Sequence, residues 1–260
     1  MNFLKTLSIQ KVAGAAFWIL SNAFINCNQK YYHSKDVVHL RLTVNYPLVQ
    51  ANGNKAELQN LKDTIQIYFF NNDVLYYIPY KKTLETEEKL ISEEVKYSYF
   101  IYTKDSSSGF LFSSLTDTVS PKKLSVDSFL FHRAYAAKFD LDHKLFVSVT
   151  ENKKNGVRVE TYVPENISNE TYYDTIMFYF DKRLNDVSFS FSNNLDKLKG
   201  KKLFKIRLMY NQKFSQQYQM MIPQREMYFE IQKLQLKNPK IIIGLFNQLK
   251  NKIHKQASDH

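Results

Sequence analysis

The chain has 260 residues, a net charge of +11, 44% apolar residues and 15% aromatic residues. This apolar content excludes a wholly disordered chain, and with only six glycines glycine-rich loops that cradle phosphate are not expected. Twenty Phe and eighteen Tyr favour β-sheet, because aromatic side chains suit pleated, half-buried surfaces.

The N-terminal segment predicts export. Lys5 and Lys11 precede residues 12–20, which are uncharged and mainly apolar, and Ser21-Asn22-Ala23 places small residues where a signal peptidase reads them. A bilayer-spanning helix needs about 20 apolar residues, so residues 1–26 are interpreted as a secretory signal peptide. The alternative is a buried helix of a cytosolic protein.

Cys27, the only cysteine, follows this segment. A cysteine after a short apolar run and before polar residues resembles a bacterial lipoprotein attachment site, which implies that the cleaved chain begins with a lipid-bearing Cys27. Asn26 stands where such sites have a small residue. Cleavage after Ala23, which would leave a free thiol at Cys27, is therefore the alternative.

Alternating apolar and polar residues predict strands along most of the remaining chain. The first strand has one apolar side, formed by Val38, Leu40, Leu42, Val44 and Tyr46. Aromatic-rich runs around turn residues predict four hairpins, at 64–80, 96–114, 144–163 and 174–192. The turns are expected at Asn71-Asn72-Asp73, at residues 105–109, and at Asn155-Gly156 or just before it. Further strands are predicted at 202–211 and 226–236.

Three segments have helical features. Residues 83–95 predict a surface helix or a charged connection. Residues 125–139, with Ser125 as the N-cap, carry an apolar stripe that would cover a sheet: Val126, Phe129, Leu130 and Ala134. The last helix is predicted to begin at Pro239 and to carry Ile242, Leu245, Phe246, Leu249 and Ile253 on one side.

Together these elements predict an α+β or mainly β protein. Its expected architecture is a strongly curved antiparallel sheet or partial barrel with one or two covering helices. Residues 27–236 would form the β-rich domain, and residues 237–260 a basic C-terminal helix or tail.

The best acid–base or metal candidates are Asp140, Asp142 and His143. In a strand the two carboxylates would share one side and the imidazole would point to the other, which favours exposed carboxylates over a joint site. The other histidines lack ligand spacing: His33, His39, His132, His254 and His260. We therefore expect no catalytic residue, metal or cofactor; an exported hydrolase with a dispersed site is the alternative.

Residues 201–213 interleave Lys and Arg with aromatic residues, a pattern that can bind single-stranded nucleic acid. A strand explains it more simply. Its inner side would hold Phe204, Ile206, Leu208 and Tyr210, and its outer side would hold Lys205, Arg207, Met209 and Asn211. The adjacent N-x-S/T sequons at Asn166 and Asn169 are interpreted as a polar loop.

The strings "AFINCNQK", "IQIYFFNNDVLYYIPY" and "VSFSFS" resemble exported proteins of the Bacteroidota, namely small lipoproteins of unknown function and GLPGLI-type proteins. The G-L-P-G-L-I string itself is missing, and "IIIGLF" at 241–246 does not replace it. The resemblance implies a curved antiparallel sheet around a helix, and it implies no catalytic residues.

These patterns predict an exported, lipid-anchored, non-enzymatic binding protein of the bacterial envelope, in the periplasm or attached to the outer membrane. It would enclose a hydrophobic ligand in a groove lined by Phe and Tyr, or present an aromatic face to a protein partner. The alternative is a cytosolic basic module for nucleic acid or an acidic partner, which predicts salt-sensitive binding.

Overall fold

The computed structural model describes residues 37–52, 55–86, 89–116, 120–132, 139–165, 173–216 and 218–258. Thirteen strands lie in these ranges: β1 (Val37–Asn52), β2 (Lys55–Phe70), β3 (Asp73–Thr86), β4 (Lys89–Thr103), β5 (Ser108–Phe112), β6 (Lys122–Ser125), β7 (Lys144–Glu151), β8 (Arg158–Pro164), β9 (Thr175–Asp181), β10 (Lys202–Tyr210), β11 (Lys213–Ser215), β12 (Met220–Ile222) and β13 (Arg225–Leu234).

The helices of these ranges are α1 (Val126–His132), α2 (Asn193–Lys199) and α3 (Pro239–Ser258), with a 3-10 turn at Lys182–Leu184. The described chain forms two compact units. The first contains residues up to His39, Thr64–Val126 and the chain from Leu234; the second contains Leu40–Asp63 and Asp127–Lys233.

The main sheet has the strand order β6-β5-β4-β3-β2-β1-β13-β10-β9-β8-β7, and β11 and β12 form a separate pair. Within the described ranges, nine strand pairs are antiparallel: β2–β3, β3–β4, β4–β5, β5–β6, β7–β8, β8–β9, β9–β10, β10–β13 and β11–β12. The sheet is open, because β6 and β7 end it in the described chain. The prediction of a mainly β, antiparallel fold with covering helices is confirmed.

The predicted turns lie where the backbone needs a left-handed residue. Asn71, with φ of 53°, begins the two-residue loop between β2 and β3, and Asp105, with φ of 66°, lies between β4 and β5. Gly156, with φ of 69°, lies between β7 and β8. Asn and Gly adopt this conformation at low cost, so the first three predicted hairpins are confirmed.

The helix or charged connection predicted at 83–95 is wrong. Residues 83–86 belong to β3 and residues 89–95 belong to β4. The pairing of these strands runs from Asp73↔Thr103 to Thr86↔Lys89, with a bulge between Leu84 and Glu85. A long ladder that starts in the Tyr-rich centre of the hairpin continues into the charged segment. Tertiary pairing therefore overrides the local helical pattern.

The second strand of the hairpin predicted at 174–192 is also wrong. Val187, Phe189 and Phe191 are buried alternately, but residues 186–192 form no strand. β9 pairs with β8 on one side and β10 on the other. Because both of its edges are occupied, no hydrogen-bonding edge of β9 remains for the following segment.

The core of the first unit lies between the strands and α3. Ile242, Phe246 and Leu249 on α3 are buried, and the ring of Phe246 lies 5.7 Å from that of Phe70 on β2. Lys250 Nζ also lies 2.5 Å from Asp73 Oδ2. The predicted start at Pro239 and the apolar stripe of this helix are confirmed.

Gly109 on β5 tests how closely the other side of β4 and β5, away from α3, is packed. An added Cβ would lie 2.7 Å from Cζ of the buried Phe100 and 2.8 Å from the carbonyl oxygen of Ile101. We expect Gly109→Ala to lower the free energy of unfolding by about 1–3 kcal/mol, as overpacking does, measured by urea denaturation. Gly244→Ala is the matched control: nothing lies within 4 Å of its Cβ, and alanine favours helix by up to about 1 kcal/mol. Equal effects of the two changes would contradict the prediction.

The core of the second unit is a phenylalanine cluster on one side of β9, β10 and β13. The ring of Phe139 lies 5.2 Å from Phe229 and 6.5 Å from Phe178, and Phe191 lies 6.3 Å from Phe229. All four rings meet edge to face, the favoured aromatic geometry. The opposite side of the same strands therefore remains the accessible one.

Candidate functional site: a tyrosine–arginine face

The accessible side of β9, β10 and β13 is the strongest candidate for a functional surface. The strand registers place its side chains in rows: Tyr179, Lys205 and Glu230; then Met177, Arg207 and Tyr228; then Thr175, Met209 and Glu226. All nine are partly exposed. With Phe204, they are called here the tyrosine–arginine face.

Arg207 is held at the centre of this face. Its Nε and Nη2 donate to the two carboxylate oxygens of Glu226 at 2.8 and 2.5 Å, and its Nη1 donates to the Tyr179 hydroxyl at 3.2 Å. Glu226 and Tyr179 thereby raise the pKa of Arg207. This bidentate arrangement fixes the guanidinium plane.

Lys205 is ordered in a similar way. Its Nζ donates to Glu230 Oε2 at 2.9 Å. The same nitrogen lies 5.1 Å from the ring centre of Tyr228 and 5.9 Å from that of Tyr179, which is cation–π distance. Since two cations face two carboxylates, the net charge of this face is zero.

The predicted outward positions of Lys205, Arg207 and Met209 are confirmed, but the prediction that Phe204 points inward is wrong. A bulge between Leu203 and Lys205 shifts the register of β10. Leu203 takes the buried position, and Phe204 lies partly exposed with its ring 6.4 Å from Tyr179. An extra residue in one strand reverses the alternation at that point.

The prediction that Tyr210 points inward is partly confirmed. Its ring is partly exposed, and the guanidinium carbon of Arg225 lies 4.5 Å from the ring centre. The paired registers place Tyr210 and Arg225 on the side of Ile206 and Phe229. Burial raises the pKa of the Tyr210 hydroxyl.

A buried carboxylate lies under the opposite side of this sheet. Glu160 on β8 is 0% exposed and accepts from Arg158 Nε at 2.7 Å and Tyr162 at 2.6 Å, and Lys199 on α2 lies 2.8 Å away. Burial alone would raise the pKa of Glu160, but the hydrogen bonds from Lys199, Tyr162 and Arg158 outweigh it and hold that pKa below its ordinary value. Glu160 therefore stays ionised and joins α2 to the sheet.

The predicted acid–base residues form an exposed turn in front of β7, and not a strand. Asp140 Oδ1 accepts from the Asp142 amide and from Lys144 Nζ, both at 3.1 Å. His143 has φ of 55° and its side chain is 89% exposed, with Nδ1 3.6 Å from Glu165 Oε2. The Asp140 carboxylate thus stabilises the turn through these two hydrogen bonds. In the described ranges, no three His, Cys, Asp or Glu side chains come together in a way that could hold a metal ion.

Other residues singled out in the sequence are dispersed. His39 stacks on Tyr68 at 4.5 Å with Nε2 2.5 Å from Gln66 Oε1, and His254 is exposed on α3. His132 ends α1. Several predictions fall outside the described residues: the signal peptide, Cys27, His33, the sequons at Asn166 and Asn169, and His260.

The tyrosines of the first unit pack on one another. Tyr77 stacks on Tyr97 at 4.4 Å and meets Tyr99 edge-on at 5.2 Å. Burial raises the pKa of Tyr77 and Tyr99, and it raises that of Tyr68 to about 12. These rings adjoin the core under α3.

A surface cavity of about 370 Å³ lies along α3. Its described lining is polar or cationic apart from Gly244: Asn247, Gln248, Asn251, Lys252 and Lys255. Lys252 donates to the Leu115 carbonyl at 2.6 Å. No helix in the described part of the chain is long and apolar enough to cross a membrane.

Neither the profiles of known protein families nor the curated protein sequences compared with the chain give a match. The functional argument therefore rests on geometry. The tyrosine–arginine face is the surface that the sequence predicts least completely, because only the β10 part of it shows as alternation of basic and apolar residues. Its β9 and β13 parts depend on register.

Proposed function

We propose that the protein is an exported, non-enzymatic binding protein of the bacterial envelope that presents the tyrosine–arginine face to a protein partner. The observation that carries the proposal is the ordered set of Tyr179, Arg207 and Tyr228 on an accessible sheet. Protein interfaces are enriched in Tyr, Met and Arg, and the residues that dominate binding energy are enriched in Tyr and Arg.

Preorganisation supports a binding role. Because Glu226 and Glu230 already fix the two cations, little side-chain freedom is left to lose when a partner binds. The neutral charge of the face also favours a protein partner over nucleic acid, whose binding depends on unpaired cations that neutralise phosphates.

The export part of the proposal rests on the N-terminal sequence. A lipid on Cys27 would attach the protein to a membrane, and firm anchoring takes two or more chains or signals.

The test is photo-crosslinking in a bacterial host that exports the chain. A photoreactive residue replaces Met209 on the face, or, as the control, Lys182, which is exposed in the 3-10 turn of the same unit. We expect a discrete adduct with an envelope protein only from position 209. Tyr228→Ala is expected to reduce its yield about tenfold or more, the loss typical of a dominant interface residue. Identical adducts from both positions would contradict the partner proposal.

The N-terminal peptide mass from the same cells decides the export proposal separately. A lipid-bearing Cys27 at the start supports a lipoprotein, and a start at Phe24 supports a soluble secreted protein. An intact Met1 would overturn export, and the cytosolic basic module would then be the better hypothesis.

A further inference from the structure

The edge strand β7 is exposed to an unusual degree. It ends the sheet order, with β8 as its one strand neighbour in the described chain. Its apolar side chains are about half exposed: Leu145 51%, Phe146 57%, Val147 55% and Val149 46%. Edge strands usually carry devices that prevent pairing with another chain, and an apolar, half-exposed edge therefore requires an explanation.

A bulge sets which of these side chains share a side of the strand. Phe146 lies opposite Tyr162 and Val149 lies opposite Glu160, while Val147 has no counterpart on β8. Tyr162 and Glu160 are two residues apart and point to the same side. Phe146 and Val149 therefore also share a side, which strict alternation over three residues would not allow.

We propose that β7 pairs antiparallel with β7 of a second copy of this chain, about a two-fold axis between Val147 and Ser148. In this register Phe146 lies opposite Val149 of the second copy, and Leu145 lies opposite Thr150 of the second copy. Opposed residues must share a side of the sheet. The bulge meets this condition for the Phe146–Val149 pair and, by the β8 register, for the Leu145–Thr150 pair.

Charge complementarity favours a second copy of this chain as the partner that pairs with the free edge of β7. β7 begins with Lys144 and ends with Glu151, so the same register places each lysine opposite the glutamate of the other copy. A parallel arrangement would instead place lysine beside lysine. Opposite charges across strands stabilise pairing, and like charges oppose it. A strand whose two halves complement each other fits the isologous contact of a two-fold dimer.

The two residues differ in how they reach the new contacts. The Lys144 side chain is only 12% exposed, with Nζ 3.1 Å from Asp140 Oδ1, so Lys144 must exchange Asp140 for Glu151 of the second copy. Lys201 Nζ lies 2.5 Å from Glu151 Oε1. The Glu151 side chain is 50% exposed, and a carboxylate accepts several hydrogen bonds. The dimer is independent of the partner proposal, because β7 contributes no residue to the tyrosine–arginine face.

The test is sedimentation velocity of the chain with its native N-terminus, in mild detergent and with reductant so that Cys27 cannot crosslink copies. We expect a dimer at micromolar concentration. Lys144→Glu and Glu151→Lys, made singly, are each expected to weaken dimerisation by about tenfold or more, because each creates two like-charge contacts. The double variant is expected to recover the wild-type dissociation constant within about threefold.

The double variant distinguishes the loss of contacts between the two copies from the loss of contacts within one chain. Reversing both charges places a carboxylate at position 144 beside Asp140 and an ammonium group at position 151 beside Lys201. Contacts inside the chain therefore stay broken, while contacts between copies are restored. A double variant as weak as the single ones would overturn the proposal. A wild-type chain that remains monomeric at 100 µM, on the order of the weakest specific homodimers, would overturn it without any variant.

Discussion

Phe246→Ala is expected to lower the free energy of unfolding by about 3–5 kcal/mol, the range measured for truncating a buried phenylalanine. Phe246 is 1% exposed on α3 and its ring lies 5.7 Å from that of Phe70. Leu249, one turn further along the helix, is 0% exposed. Because the neighbours on both sides are fixed by the sheet and the helix, the cavity left by the ring can collapse only partly. Urea denaturation followed by circular dichroism measures the change.

Ile241→Ala is the matched control for Phe246→Ala. Ile241 lies on the same helix but is 42% exposed, so its truncation should change the free energy of unfolding by about 0.5 kcal/mol or less. Similar losses from the two variants would mean that α3 does not dock through its Phe246 side.

Glu160→Gln is expected to lower the free energy of unfolding by about 3 kcal/mol, near the lower end for breaking a buried ion pair. The change leaves Arg158 and Lys199 without their carboxylate. Lys199 is only 17% exposed, whereas Arg158 is 36% exposed and can be partly hydrated, which places the loss at the lower end. Asp186→Asn, at an exposed ion pair with Lys233, is the control and should cost less than about 1 kcal/mol.

The pH dependence of the free energy of unfolding provides a second test of whether Glu160 is ionised in the folded protein. Its pKa in the folded protein lies below the ordinary value of 4.5, so its contribution is present above pH 4.5 and is lost as the pH falls through the folded-state pKa. The stability difference between wild type and Glu160→Gln should therefore narrow with acidification below pH 4.5. A difference that stays constant down to pH 3, about one unit or more below the ordinary pKa, would contradict an ionised Glu160.

Much of the fold follows from alternation and turn chemistry. Leu40, Leu42 and Val44 are predicted on one side of β1 and are all buried. Asn71 and Gly156 are predicted in turns and adopt the left-handed backbone. These features are local, because the two-residue period of a strand and the cost of positive φ depend on neighbouring residues only.

The errors arise where non-local contacts decide. Residues 83–86 and 89–95 extend the pairing of β3 with β4 that begins at Asp73 and Thr103. Residues 187–191 have no free strand edge with which to pair. Phe204 is turned outward by a single bulge. The tyrosine–arginine face depends on all three strand registers at once, which no segment of the sequence contains by itself.

The strand order also determines when the sheet can be completed during synthesis of the chain. Most neighbours in the sheet follow one another along the chain, but β1 lies beside β13, and Asn45 Nδ2 donates to the Glu226 carbonyl at a separation of 181 residues. At the rate at which ribosomes extend a chain, β1 waits on the order of 10–40 s for this partner to be synthesised. The edge of β1 that pairs with β13 stays unpaired for that time. Local hairpins such as β2–β3, by contrast, form in microseconds. Completion of the sheet is thus tied to the synthesis of β13.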